Sequence, residues 1–149
     1  MRHVRETSCP EETERLGEEM AARLRPGDVV ALTGEIGAGK TCLTRGLARG
    51  VGATTAARSP TFVLMHRHEL DGASHVLYHL DLYRLDSADE LEDIGGADVL
   101  HGDDICVVEW AERADDLLPA DVFRVHIECL DGDARRLTVT GPRRLLPDD

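Results

Sequence analysis

The sequence predicts an α/β fold, and three observations carry that prediction. Val29-Val30-Ala31-Leu32 and Ile105-Cys106-Val107-Val108 are short, wholly apolar runs, as expected of strands buried on both faces. Apolar residues at helical spacing flank the first run: Leu16, Met20 and Leu24 before it, Leu43, Leu47 and Val51 after it. Asp71-Gly72 and Asp131-Gly132, each between strand-like segments, are hairpin signals.

The elements follow in order. Ser8-Cys9-Pro10-Glu11 has capping-box spacing, which predicts Ser8 as N-cap of a helix running to about Leu24. Arg25-Pro26-Gly27-Asp28 is a turn into the first apolar strand. The helix carrying Leu43 and Leu47 is expected to end at Gly50 or Gly52. Thr61–Leu70 and Ser74–Leu82 are expected as strands, followed by a helical stretch capped by Ser87 and interrupted at Gly95-Gly96. The second apolar run ends in Glu109-Trp110. Val122–Leu130 and Arg136–Thr140 form the last hairpin. One domain is expected over 1–149, with 142–149 as a frayed tail.

With a net charge of −12, the chain is poorly suited to gripping nucleic acid directly, so any link to RNA is expected to run through a partner. No apolar run is long enough to cross a bilayer and the N-terminus has no signal-peptide core, so a cytoplasmic location is expected. Cys9, Cys42, Cys106 and Cys129 form no C-x-x-C pair, which argues against a disulfide framework or a zinc site. Cys106 and Cys129 fall in apolar strand patterns and are expected in the core. The chain has no Asn and no Gln, so a guanine-reading N-K-x-D motif and a water-orienting glutamine of the Ras kind are both excluded.

Between the first strand and its helix stands Gly34-Glu35-Ile36-Gly37-Ala38-Gly39-Lys40-Thr41, which matches G-x-x-x-x-G-K-[ST], the phosphate-binding loop. Lys40 is the only lysine, and every other one of the 17 Lys and Arg positions is arginine. A compact ammonium fits between two phosphates where a planar guanidinium does not. In such loops the backbone N–H groups and the helix N-terminus face the phosphates. Lys40 would reach the β- and γ-phosphates of a nucleoside triphosphate, and the Thr41 hydroxyl would ligate Mg²⁺. A further acid is needed to hold the metal or polarise water. Asp81, after Val76–Leu80, and Glu109, after Ile105–Val108, are the two candidates, each closing a strand at the edge where α/β proteins bind ligands.

On these residues the chain resembles the TsaE (YjeE) family, small ATPases of bacterial tRNA threonylcarbamoyladenosine biosynthesis. The matching segments are the phosphate loop, Ser59-Pro60-Thr61-Phe62, His79-Leu80-Asp81-Leu82-Tyr83-Arg84-Leu85, Glu90-Leu91 with Gly95 after it, and Val108-Glu109-Trp110, over about residues 8–140. The resemblance implies a P-loop NTPase-like three-layer sandwich with a mixed central β-sheet. It implies ATP and Mg²⁺ as cofactors, Thr41, Glu109 and Asp81 near the metal, and Lys40, Asp81 and Glu109 as the catalytic set. Ser59-Pro60-Thr61 would be a switch segment near the γ-phosphate. Trp110 would pack beside the nucleotide, and Arg135 would lie near the base. The implied partners are TsaB and TsaD, which transfer a threonylcarbamoyl group to adenosine 37 of tRNAs reading ANN codons and would be reset by ATP hydrolysis. This chain would touch tRNA only indirectly. Cys42 departs from the family, which has a second threonine there; a thiol is a poor Mg²⁺ ligand, so any α-phosphate contact of that hydroxyl is put in question.

Other readings stay open at this stage. His66 and His68, and His75 and His79 on the next strand, are more simply solvent-facing than metal-binding. Arg84 could reach a phosphate or a partner, and the acidic stretch 86–104 could be a solvated face or a docking surface. A small-molecule kinase would need an arginine-bearing lid, for which Arg113 is the only candidate. A nucleotide-gated binding module would need no turnover at all.

Overall fold

The computed structural model describes residues 1–35, 37–54 and 65–147. In chain order the elements are β1 (Arg2–Thr7), α1 (Pro10–Ala21), β2 (Val29–Gly34), α2 (Lys40–Val51), β3 (Met65–Glu69) and β4 (Val76–Asp81). Then come α3 (Ala88–Asp93), α4 (Gly96–Leu100), β5 (Ile105–Glu109), a 3-10 helix (Ala111–Leu117), β6 (Phe123–Cys129) and β7 (Arg135–Thr140). The strands form one mixed sheet in the order β1-β7-β6-β2-β5-β4-β3. The central strands run parallel, β2 between β5 and β6, and β4 beside β5. The two edges are antiparallel.

The two apolar runs became the strands predicted for them. Val29 to Leu32 and Ile105 to Val108 are buried throughout, because helices cover both faces of the sheet. One face packs Leu16 and Met20 of α1 and Leu43 and Leu47 of α2 against Val30, Leu32, Val107 and Val125. The other packs Leu91, Leu100, Ala111 and Ala114 against Ala31, Cys106 and Val108. The result is a three-layer sandwich. Both predicted hairpins form, with Gly72 and Gly132 at positive φ in the turns.

Several expectations are corrected. The N-cap of α1 is Cys9 rather than Ser8; the Ser8 N–H instead donates to the Glu12 carboxylate at 2.9 Å, so the box closes one residue late on Glu12. β1 had no clear signal in the sequence; it is an edge strand held by β7 and by a buried Thr7–Thr13 hydroxyl contact of 2.7 Å. The expected strand from Thr61 is described only from Met65. Cys106 is buried, and burial pushes its thiol up to about 12, but Cys129, at the end of β6, is exposed. The tail is not frayed up to Pro147. Leu145 and Leu146 are fully buried, and Arg143 pairs with Asp28 while lying over the Phe123 ring. Residues 148–149 lie outside the described residues. Among the described residues, no helix is long and apolar enough to cross a membrane.

Candidate active site

The site stands where three parallel strands end. β2 runs into the phosphate loop at Gly34, and β4 and β5 end in Asp81 and Glu109, which are direct neighbours in the register. The loop closes tightly on the sheet. A Cβ on Gly34 would lie 2.6 Å from the carbonyl oxygen of Ile127, so only glycine lets the chain leave β2 along this path. Gly39, at φ +105°, then turns the chain into α2, a conformation that L side chains rarely adopt. α2 starts at Lys40, so its free N–H groups face the space in front of Asp81 and Glu109.

A cavity of about 420 Å³ lies there, lined by Gly37, Ala38, Gly39, Lys40, Thr41, Cys42, Asp81, Tyr83, Glu109 and Trp110. Lys40 is buried, and its ammonium donates to the carbonyl oxygens of Gly34 and Glu35, the latter at 3.1 Å. It also sits 3.8 Å from the centroid of the Trp110 ring. Burial pushes its pKa down, while the charges of Glu109, Glu112 and Asp81 push it back up. The Thr41 hydroxyl donates to Glu109 Oε1 at 3.2 Å. Asp81 Oδ1 accepts the Tyr83 N–H at 3.0 Å. Burial raises the Asp81 carboxyl above the ordinary range, the Tyr83 N–H opposes that, and the neighbouring Glu109 adds to it. Trp110 is the one described non-glycine residue at positive φ, +57°, and its ring packs against Tyr83 with centroids 5.0 Å apart. Such conformations persist where surrounding contacts hold them.

Most of the sequence candidates therefore meet. Lys40, Thr41, Asp81, Glu109 and Trp110 share one cavity with Gly37 and Gly39 of the loop. Glu35 is exposed beside it and contributes its carbonyl oxygen to Lys40 and to the Ala38 N–H. Cys42 lines the cavity, and its sulfur accepts from Arg45 at 3.2 Å. Arg135 holds the loop itself: it donates to the carbonyl oxygens of Ala38 and Gly37, each at 3.1 Å, and to those of Gly132 and Ala134. Arg84 and Arg113 are exposed and do not line the cavity. Ile36 and the segment Ser59-Pro60-Thr61 lie outside the described residues.

Two residues of the site were not singled out from the sequence. Tyr83 forms part of the cavity wall with Trp110. His79, read as solvent-facing, is fully buried, and its Nε2 is hydrogen-bonded to Glu109 Oε2. The signal was present in Val76-Leu77-Tyr78-His79-Leu80-Asp81, where a period of two places His79 on the same face as Asp81.

The family model of the threonylcarbamoyl adenosine biosynthesis protein TsaE matches residues 7–137. The chain is 41% identical to the Bacillus subtilis tRNA threonylcarbamoyladenosine biosynthesis protein TsaE, over 90% of this chain and 82% of that one. It is 46% identical to the Streptomyces coelicolor protein of the same name, over 85% and 88%. The crystal structure of Bacillus subtilis YdiB superposes with a TM-score of 0.75 at 33% identity, covering 95% of this chain and 86% of that one. With a family model over most of its length and relatives well above 30% identity, the chain belongs to the TsaE family, whose members serve tRNA threonylcarbamoyladenosine biosynthesis.

Proposed function

We propose that the chain is a Mg²⁺-dependent ATPase, acting in the cytoplasm, that supports formation of the threonylcarbamoyl group on adenosine 37 of tRNAs reading ANN codons. It would do so by binding the TsaB–TsaD pair and resetting it through ATP hydrolysis; the transfer itself is left to the partners. The observation that carries this reading is the meeting of Lys40, Thr41, Asp81 and Glu109 at one cavity on the carboxyl edge of the parallel strands.

The donor set suits the metal. A threonine hydroxyl and two carboxylates are hard oxygen ligands, and Mg²⁺ takes one or two such carboxylates together with phosphates and water. When bound, the ion would neutralise charge developing on the transferred phosphoryl group. The chain's own residues do the rest. Lys40 exchanges the carbonyl oxygens of Gly34 and Glu35 for phosphate oxygens, and gains a charged partner for two neutral ones. The amides at the start of α2 bind the phosphates. Glu109 orients the metal or the attacking water, Asp81 stands beside it, and Trp110 with Tyr83 keeps bulk water away. An acidic chain suits a protein partner better than a direct grip on tRNA.

The test is phosphate release from ATP by the chain alone and with TsaB–TsaD, with Lys40→Ala as control. Release that depends on both the partners and Lys40 supports the proposal. Nucleotide-dependent complex formation without faster release would replace it by a gated binding module. A phosphorylated acceptor would replace it by a kinase.

A further inference from the structure

We propose that His79 is a positioning residue for Glu109, holding one carboxylate oxygen so that the other faces Thr41 and the metal–nucleotide site. The proposal rests on the reading of that site given above. Glu109 is only 3% exposed, and its two oxygens have different partners. Oε2 meets His79 Nε2 on the neighbouring strand, whereas Oε1 accepts the Thr41 hydroxyl at the start of α2. Parallel pairing sets this up. His79 is opposite Val107 and Asp81 is opposite Glu109, so a period of two brings His79, Asp81 and Glu109 to the sheet face that α2 covers.

The chemistry fixes the direction of the bond. An ionised carboxylate only accepts, so His79 Nε2 carries the proton of this bond. Nδ1 has no hydrogen-bond partner among the described residues, which suits a lone pair better than a buried N–H group. On this face Leu77, Ile105 and Val107 are apolar and buried, and His66 of β3 stands opposite His79, so Glu109 is the carboxylate the buried ring meets. Without the ring, Glu109 Oε2 would be buried with no donor, and the carboxylate would be free to turn both oxygens towards Thr41 and Lys40. Outer-shell partners of metal-binding groups act in this way, by removing rotational freedom from a ligand.

The experiment uses the full chain with His79→Leu, which keeps the bulk and removes the donor, and His79→Gln, which keeps an N–H donor. Calorimetry measures ADP affinity with and without Mg²⁺, partner-stimulated phosphate release gives turnover, and ¹⁵N NMR of the wild-type ring reports the tautomer. Leu at 79 is expected to lower turnover and the Mg²⁺-dependent part of the affinity about tenfold or more. Mg²⁺-free affinity should stay within about twofold, because the loop and Lys40 are untouched. Gln should recover most of the loss, and the ring should be the Nε2–H tautomer. An Nδ1–H tautomer, or a folded Leu variant with wild-type Mg²⁺ dependence and turnover, would overturn the proposal. If the Leu variant does not fold, Gln and the wild-type tautomer decide. Nucleotide binding by the wild type that ignores Lys40→Ala would instead bring down the site reading and this inference with it. Lys40-dependent binding with unaffected His79 variants would remove the inference alone.

Discussion

The two faces of the sheet are covered in different ways. On one, α1 and α2 are helices of 12 residues each, packed so closely that a Cβ on Gly46 would lie 1.9 Å from the Glu14 carbonyl oxygen and one on Gly17 would lie 2.6 Å from that of Leu43. On the other, α3, α4 and the 3-10 helix have six, five and seven residues, and Ile94 and Tyr83 stay 44% and 43% exposed. The first face anchors Lys40 and Thr41 on a long helix that cannot shift without breaking backbone-to-backbone contact. The second carries Trp110 and Tyr83 on short connections, where local opening costs less. The half of the site proposed to bind phosphate thus lies on the tightly packed face, and Trp110 and Tyr83 lie on the looser one.

The largest contrast to test is chemical. Cys106 lies beneath the segmented face with its thiol pushed up to about 12, and Cys129 is exposed. At pH 8 a thiol reagent should modify exposed Cys129 readily and buried Cys106 far more slowly, because burial both shields the Cys106 sulfur and disfavours its thiolate. Labelling of native Cys106 at a comparable rate, read by mass spectrometry, would show that the second face opens far more than its packing implies. Next, Lys40→Ala should weaken ATP binding about 100-fold or more while leaving the melting temperature nearly unchanged, measured by calorimetry and thermal melting. Glu109→Ala should spare binding and lower single-turnover phosphate release by about 100-fold, the scale of losing one oriented group at a phosphoryl-transfer site. Gly46→Ala should destabilise the fold by about 1–3 kcal/mol through overpacking of the first face, lowering the melting temperature by roughly 2–4 °C for each kcal/mol. Ile94→Ser, on the other face, should change stability by less than about 0.5 kcal/mol. Equal effects of the last two would erase the distinction between the faces.

Much of this was legible beforehand, for reasons that differ by element. β2 and β5 announce themselves because a strand covered on both sides has no room for a polar residue. The phosphate loop is legible because its chemistry needs particular residues at fixed local spacing. β1 is not, since Arg2–Thr7 is an edge strand with one face wet and charged side chains along it. Leu145 and Leu146 sit in a polar C-terminal run, and only the place where the tail meets Phe123 and Asp28 makes them core. Cys129 has the composition of a core thiol, yet β6 leaves the sheet's cover one residue too early to bury it. Arg135, which the resemblance puts near a base, bridges the loop carbonyls of Gly37 and Ala38 to those of Gly132 and Ala134, a set of contacts that depends on tertiary packing.

By itself the sequence determined that a G-x-x-x-x-G-K-T loop opens a helix after a buried strand, that two acids close later strands, and which family the pattern resembles. The first two depend on residues close together in the chain, and the resemblance on several short segments in a fixed order. The tertiary structure decided which acid is buried, which histidine holds it and what faces it. His79 and Glu109 are 30 residues apart, and Thr41 and Glu109 are 68 apart, so their meeting depends on strand register and helix docking. Register moves side chains from one face to the other with a shift of a single residue, and only the packed sheet fixes it.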